Sequence, residues 1–230
     1  MSERSFYLSK LYPLQDEFLR LVERCDTSFY LTGGTALGRQ YLRHRFSDDL
    51  DFFLNGAEDF KEQVDRIFER VRRETTWDCT VGVTADSFLR SFVRNGDTTL
   101  KVEFVNDVPY HVGEFLKSPL FSKIDGWKNI LSNKISALSR RSAKDIVDIL
   151  FLARAYPFSW QETIADAKKK DMWVDEISVS EHLASFDMAQ SESIKWIDPV
   201  DVVELAQHRD RIARDIVRRV DNKISVRSEQ

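Results

Sequence analysis

Apolar residues in the first half of the chain gather in five short segments whose length and bounding residues are typical of β-strands. The segments are 29–31, 50–54, 77–83, 87–94 and 100–105. Residues 6–25 and 58–72 carry apolar side chains at helical spacing instead. Asn95 and Gly96 favour a tight hairpin turn between the last two strands. The first half therefore predicts a sheet accompanied by helices.

After Pro119 the apolar spacing becomes helical. Helices are expected at 129–155, at 159–170, at 180–189 and from Pro199 toward the C-terminus. The segment 129–155 fits one long helix, but Ser142 to Asp145 also fits a capping box that would end one helix and begin another. Both possibilities stay open at this point.

These elements predict an α+β fold, in which a mixed β-sheet with helices is followed by a helical C-terminal half. We expect residues 1–116 to form the α/β core and residues 117–230 to form a helical domain that closes over the ligand. A chain of 230 residues buries roughly 70% of its unfolded surface, which is enough for one large or two small domains.

The composition limits the classes of function. The net charge of −4 argues against a protein that binds nucleic acid over its whole surface, although basic residues gather at 39–45, at 140–144 and in the tail from Arg209 to Arg227. No apolar run approaches the ~18 residues of a membrane span, and the N-terminus lacks a hydrophobic signal core. We expect a cytoplasmic protein with no membrane contact.

A glycine pair follows the first predicted strand. Gly33 and Gly34 let the backbone turn sharply and approach a ligand closely, and Gly34 in particular is expected to need a positive φ. Thr35 begins an expected helix over 35–43, whose first N–H groups favour an anion. This arrangement predicts a phosphate site.

Closely spaced carboxylates come next along the chain. Asp49 and Asp51 are two residues apart in a predicted strand, so both side chains emerge on one face, about 6–7 Å apart along the chain. That spacing suits one divalent ion, or two ions about 3.5–4 Å apart. Asp48 is interpreted as a residue that precedes the strand and binds no metal.

A site with two ions usually needs a third carboxylate, and Glu103 is the candidate. It lies in 100–105, where strict alternation puts Leu100, Val102 and Phe104 on the opposite face. The alternative is an ordinary strand glutamate paired with a cross-strand lysine.

Charged residues also form a stripe on the predicted helical segment 129–155. Lys134, Arg141, Asp145 and Asp148 lie roughly 90° from the apolar stripe, where they could contact a ligand. If the segment breaks near Ser142, Arg140 and Arg141 become interchangeable candidates.

Several of these residues occur in one order over about 120 residues, which makes the set more specific than any single motif. They are Gly33, Gly34, Thr35, Leu37, Arg45, Ser47, Asp49, Asp51, Lys134, Ala137, Leu138, Lys144, Asp145 and Asp148. This series resembles the AbiEii-type nucleotidyltransferases, toxins of toxin–antitoxin systems within the polymerase-beta nucleotidyltransferase superfamily.

The resemblance implies a polymerase-beta-like fold and a metal-dependent enzyme that uses a nucleoside triphosphate with Mg²⁺ or Mn²⁺. It implies metal ligation by Asp49, Asp51 and Glu103, the last because the superfamily carries its third acidic residue on a later strand. It implies nucleotide binding by Gly33, Gly34, Thr35, Arg45, Ser47, Lys134 and Arg141. Lys134 matches the family lysine that contacts phosphate, and Asp145 matches the acidic residue of the last motif.

The resemblance further implies transfer of a nucleotidyl group to RNA, such as a tRNA 3′ end, and a cognate antitoxin as partner. Two other functions stay open. One keeps the chemistry but uses a protein or a small molecule such as an antibiotic as the acceptor, and the other is a non-catalytic nucleotide-binding module.

Overall fold

The computed structural model describes residues 2–224, which divide into two compact units. One unit comprises the residues up to Gln40 together with Phe46–Asp125, and the other comprises Tyr41–Arg45 together with the residues from Gly126 onward. The domain boundary expected after residue 116 stays a prediction. Arg227 of the basic tail lies outside the described residues.

The first unit contains a five-stranded mixed sheet. The strands are β1 (Tyr30–Thr32), β2 (Asp49–Asn55), β3 (Asp78–Thr84), β4 (Phe88–Asn95) and β5 (Thr98–Asp107), in the order β1-β2-β5-β4-β3. β2 and β5 are parallel, and the other neighbours are antiparallel. The five predicted strands and the hairpin at Asn95 and Gly96 are confirmed, as is the α+β fold class.

One face of the sheet forms the core of this unit. Leu50, Phe52 and Phe104 are fully buried, and the rings of Phe52 and Phe104 stack with centroids 5.4 Å apart. Because side chains alternate along a strand, the residues between them face away from this core. The opposite face therefore receives every second residue of β2 and β5. It is called the polar face here because it carries Asp49, Asp51, Lys101 and Glu103.

The two edges of the sheet differ. The backbone of Leu31 in β1 exchanges hydrogen bonds with Lys123 and Asp125, so this edge is covered by a neighbouring segment. At the other edge, β3 carries exposed Val81 and Val83, and its pairing with β4 shifts register between them.

Helical segments accompany the sheet. Glu3–Phe6, the π-helical Tyr7–Leu11 and Tyr12–Glu23 follow one another, and Phe60–Glu74 lies between β2 and β3, so the helices predicted at 6–25 and 58–72 are confirmed. The helix after β1 begins at Gly33, as Gly33–Ala36, and continues as the π-helix Leu37–Leu42. The glycine pair therefore lies inside the first turn, and the expected start at Thr35 is two residues late.

The second unit is helical. Its elements are Trp127–Ser136, the 3₁₀ turn Leu138–Arg140, Ala143–Ala155, Trp160–Lys170, Glu176–Ala184, the 3₁₀ turn Met188–Ser193 and Val202–Val217. The segment 129–155 is broken, because Arg141 adopts a left-handed conformation with φ 52°. The Ser142 side chain makes no capping hydrogen bond, so the expected capping box is wrong although the break is present.

Two of the predicted helix positions are also wrong. The helix expected at 180–189 is Glu176–Ala184, because the carboxylate of Asp175 accepts hydrogen bonds from the first-turn N–H groups. The terminal helix begins after Asp201, which caps it in the same way, and not at Pro199. The predicted helix 159–170 is confirmed, with Ser159 as its cap.

No helix within residues 2–224 is long and apolar enough to cross a membrane. The cytoplasmic location stays a prediction.

Candidate active site

Asp49 and Asp51 lie on the polar face of β2 in the first unit. Their neighbours Leu50 and Phe52 are fully buried, and this burial fixes which face each carboxylate occupies. The expected shared face is confirmed. Asp48 precedes the strand and accepts a hydrogen bond from the hydroxyl of Tyr7, as expected for a residue outside the pair.

Gly33 gives the carboxylate of Asp51 its space. A Cβ atom added to Gly33 would lie 2.0 Å from Oδ2 of Asp51, and the φ of Gly33 is +67°. Only a residue without a side chain fits here. The positive φ expected at Gly34 is wrong, because the left-handed turn falls one residue earlier, at Gly33.

Thr35 ties the helix start to β2, since its hydroxyl donates to the backbone carbonyl of Asp49. Thr32, which precedes the helix, does not cap it, because its hydroxyl donates to Oδ2 of Asp125 at 2.5 Å. First-turn N–H groups have no partner inside an α-helix, so this helix start offers the donors that a phosphate would need.

β5 brings further charges to the polar face. In the parallel register Lys101 lies opposite Asp49 and Glu103 lies opposite Asp51. Nζ of Lys101 lies 2.8 Å from Oδ2 of Asp49 and 3.3 Å from Oε1 of Glu103. Arg90 of β4 donates from Nε to the same Oε1 at 2.6 Å. The cross-strand pairing of Glu103 is thus present, with an arginine where a lysine was considered.

These contacts shift the ionisation of both residues on β5. Burial lowers the pKa of Lys101, but the hydrogen bond and the charge of Asp49 outweigh it, and the pKa is raised. Burial raises the pKa of Glu103, but the Arg90 hydrogen bond and the Lys101 charge outweigh it, and the pKa is lowered. Both side chains are therefore charged at neutral pH.

The donor chemistry of Asp49 and Asp51 fits a hard divalent cation, because Mg²⁺ is usually bound through one or two carboxylates plus substrate phosphates. Within residues 2–224 no three His, Cys, Asp or Glu side chains form a group that could hold a metal ion. The role of Glu103 as a third metal ligand stays a prediction.

Ser47 precedes β2 and is buried. Its carbonyl accepts a hydrogen bond from Nε2 of Gln15 at 3.1 Å, and its N–H donates to the hydroxyl of Tyr12 at 3.3 Å. Both contacts hold the segment that leads into the carboxylate strand. The predicted nucleotide contact of Ser47 stays a prediction.

The second unit contains a buried charge cluster around Asp148. Arg45 donates from Nε to Oδ1 at 2.8 Å and from Nη2 to Oδ2 at 2.7 Å. Nε2 of His44 lies 2.8 Å from Oδ1, and Nζ of Lys134 lies 3.0 Å from Oδ2. Lys134 also contacts Asp145 at 2.6 Å. The structure thus brings together three residues predicted for the site, Arg45, Lys134 and Asp145.

Opposite charges control ionisation in this cluster. Burial lowers the pKa of Lys134, but the charges of Asp148 and Asp145 outweigh it and the pKa is raised. Burial raises the pKa of Asp148, but Arg45, Lys134 and His44 hold it well below its usual range. Arg141 is exposed at the helix break and Arg140 ends the preceding 3₁₀ turn, so the structure does not group either of them with Asp148.

Sequence reasoning missed the parts that Asp148, His44, Lys101 and Arg90 play. Asp148 belongs to the charged stripe on its helix, three residues after Asp145, and Lys101 alternates onto the face of Glu103. The local sequence pattern was sufficient to place these two residues on their faces. Their partners were not, because His44 lies 104 residues from Asp148 in the chain.

Comparisons with known proteins agree with these motifs. The family model of the AbiEii nucleotidyl transferase toxin, from type IV toxin–antitoxin systems, matches residues 20–224. An uncharacterized protein of Aquifex aeolicus is 32% identical over 177 residues, which are 74% of this chain and 80% of that protein.

Two solved structures share the fold. JHP933 from Helicobacter pylori aligns with a TM-score of 0.59 and 22% identity, covering 95% of this chain and 94% of that one. MenT4, a nucleotidyltransferase toxin of Mycobacterium tuberculosis, aligns with a TM-score of 0.67 and 17% identity, covering 94% of this chain and 86% of that one.

We predict that Gly33→Ala destabilises the protein more than Gly96→Ala does. Both glycines have a positive φ, +67° and +60°, but an added Cβ meets Asp51 at the first and nothing within 4 Å at the second. Gly96→Ala should cost about 1–2 kcal/mol of unfolding free energy from backbone strain alone. Denaturant titration measures both variants. Equal losses would show that the space beside Asp51 is not limiting.

We predict that His44 makes the protein sensitive to acid. Burial lowers its pKa more than Asp148 raises it, so the folded state keeps it neutral while the unfolded chain binds a proton below about pH 6.5. The unfolding free energy should therefore fall between about pH 7.5 and 5, and fall less in His44→Gln, which keeps a donor for Asp148. Urea titrations at each pH test this, and parallel curves would contradict it.

Proposed function

The chain belongs to the AbiEii nucleotidyl transferase toxin family, and from this premise we propose that it transfers a nucleotidyl group from a nucleoside triphosphate to an RNA 3′ end. Members of this family are nucleotidyltransferases, and so is this enzyme.

One observation carries the proposal. Asp49 and Asp51 share the polar face of β2, and Gly33 leaves the space in which the Asp51 carboxylate lies against the helix start. These two carboxylates would hold Mg²⁺ or Mn²⁺. When bound, such an ion neutralises the charge of a triphosphate and of its transition state.

The helix start beside them would hold the phosphates. Gly33, Gly34 and Thr35 form its first turn, and their N–H groups would donate to phosphate oxygens. In-line transfer needs the acceptor hydroxyl and the α-phosphorus held close together. By binding the phosphates, the helix start would hold the α-phosphorus in place.

We propose a narrower role for Glu103 than the third metal ligand or proton acceptor that the sequence predicted. Its lowered pKa and its pairing with Arg90 and Lys101 make it a weak proton acceptor near neutral pH. We assign it to the charge balance of the polar face, and the acceptor proton then leaves to solvent.

In the second unit we propose that Lys134 binds phosphate. Its ammonium contacts Asp145 and Asp148, and phosphate oxygens would replace the less buried of these two partners, Asp145. Arg45 would act indirectly by holding Asp148. Arg141 and Ser47 remain proposed nucleotide contacts.

The proposed partners follow from the family. A toxin of a toxin–antitoxin system implies an antitoxin, and we propose that one is encoded for this chain. The exposed residues Arg43, Arg140 and Arg141 support an acceptor that carries phosphate, such as a tRNA end, whereas Arg45 is buried against Asp148.

We predict that Asp49→Ala and Asp51→Ala each lower turnover more than about 10²-fold, because charge stabilisation in the transition state is lost. Asp48→Asn is the matched control. It changes the adjacent carboxylate, keeps an acceptor for Tyr7 and should stay within about threefold of the wild-type rate. Steady-state kinetics with Mg²⁺ and with Mn²⁺ measures all three variants. Full activity in Asp51→Ala would exclude that residue as a metal ligand.

We predict that label from an α-³²P nucleoside triphosphate enters RNA when the protein is incubated with Mg²⁺, total RNA and total protein. The apparent affinity for RNA should fall as salt rises, because phosphate contacts release counterions. Gel separation and nuclease mapping locate the label. Label on protein or on a small molecule would replace RNA as the acceptor, and absence of label under all conditions would favour a nucleotide-binding module.

A further inference from the structure

We propose that Lys101 supplies the second positive charge of the polar face, so that Asp49 and Asp51 hold one divalent ion and not two. This inference rests on the proposed function, because it concerns the same carboxylates. It assigns Lys101 a positioning role in the site and predicts the number of ions that the site accepts.

The geometry places the ammonium where a second ion would have to bind. Nζ of Lys101 lies 2.8 Å from Asp49 and 3.3 Å from Glu103, so it joins the two carboxylates that a second ion would bridge. Two-ion sites hold their ions about 3.5–4 Å apart between shared carboxylates. A fixed ammonium between Asp49 and Glu103 takes that place.

Glu103 is also committed to a second cation. Nε of Arg90 lies 2.6 Å from Oε1, the same oxygen that Lys101 contacts. Both contacts are made to one oxygen of Glu103, and of the two cations only Lys101 also contacts Asp49, so removal of Lys101 would open the place between the two carboxylates.

The backbone fixes this arrangement. Lys101 pairs with Asp49, and Glu103 pairs with Asp51, in the parallel ladder of β2 and β5, while Arg90 pairs with Glu103 in the antiparallel ladder of β4 and β5. The cations therefore keep their places as long as the sheet keeps its register. A flexible surface lysine would not be constrained in this way.

The charge balance points the same way. Asp49, Asp51 and Glu103 contribute three negative charges, and Lys101 and Arg90 contribute two positive charges, all on the polar faces of β2, β4 and β5. A second divalent ion would face repulsion from the ammonium beside Asp49.

The test counts bound ions directly. Mn²⁺ is titrated into the full chain and free Mn²⁺ is measured by electron paramagnetic resonance, with metal alone and with an equal concentration of mixed α,β-methylene ribonucleoside triphosphates. Mn²⁺ bound by the nucleotides in the absence of protein is measured separately and subtracted. We expect one Mn²⁺ per wild-type chain and two in Lys101→Met. Lys61→Met removes an exposed lysine paired with Asp86 and should still bind one.

Two Mn²⁺ per wild-type chain, or one in a folded Lys101→Met protein, would overturn the inference. If Lys101→Met does not fold, the number of Mn²⁺ ions bound by the wild type and by Lys101→Arg still tests the inference. Both are expected to bind one ion, and two ions in either would contradict it. Two ions with normal transfer activity would refute only the role of Lys101. No bound Mn²⁺ would refute the proposed metal site as well.

Discussion

The alignment of β2 with β5 is the constraint on which the rest of the polar face depends. Burial of Leu50 and Phe52 against Phe104 leaves a single register in which the apolar faces coincide. A slip by one residue would turn every carboxylate inward. Core packing and the arrangement of charges are thus two consequences of one pairing, and the core supplies the energy that holds the charges together.

The sequence predicted the elements that local pattern determines. All five strands were found because apolar segments of strand length carry that information, and the Asp49–Asp51 face followed from strand geometry alone. The errors arose where one side chain determined the start of a helix or one dihedral angle determined the position of a turn. Asp175 and Asp201 moved two helix starts, and the left-handed turn fell on Gly33.

Contacts between residues far apart in the chain could not be predicted from local sequence patterns. Asp148 is fully buried. Burial of a carboxylate is tolerated only when partners compensate its charge, and here these partners are Arg45, His44 and Lys134. Arg45 and Asp148 are 103 residues apart in the chain, so no spacing rule connects them. Motif residues of this kind can stabilise the fold and also bind a ligand. Loss of activity on their substitution can therefore come from a less stable fold or from a lost ligand contact.

The free edge of the sheet has a consequence for the behaviour of the protein at high concentration. An exposed strand with unpaired backbone groups is a template on which another chain can add a strand. β3 carries exposed valines at such an edge, but its register shift between Val81 and Val83 interrupts the regular row of donors and acceptors. An incoming strand would match one side of the irregularity or the other, and this mismatch protects the sheet from intermolecular growth.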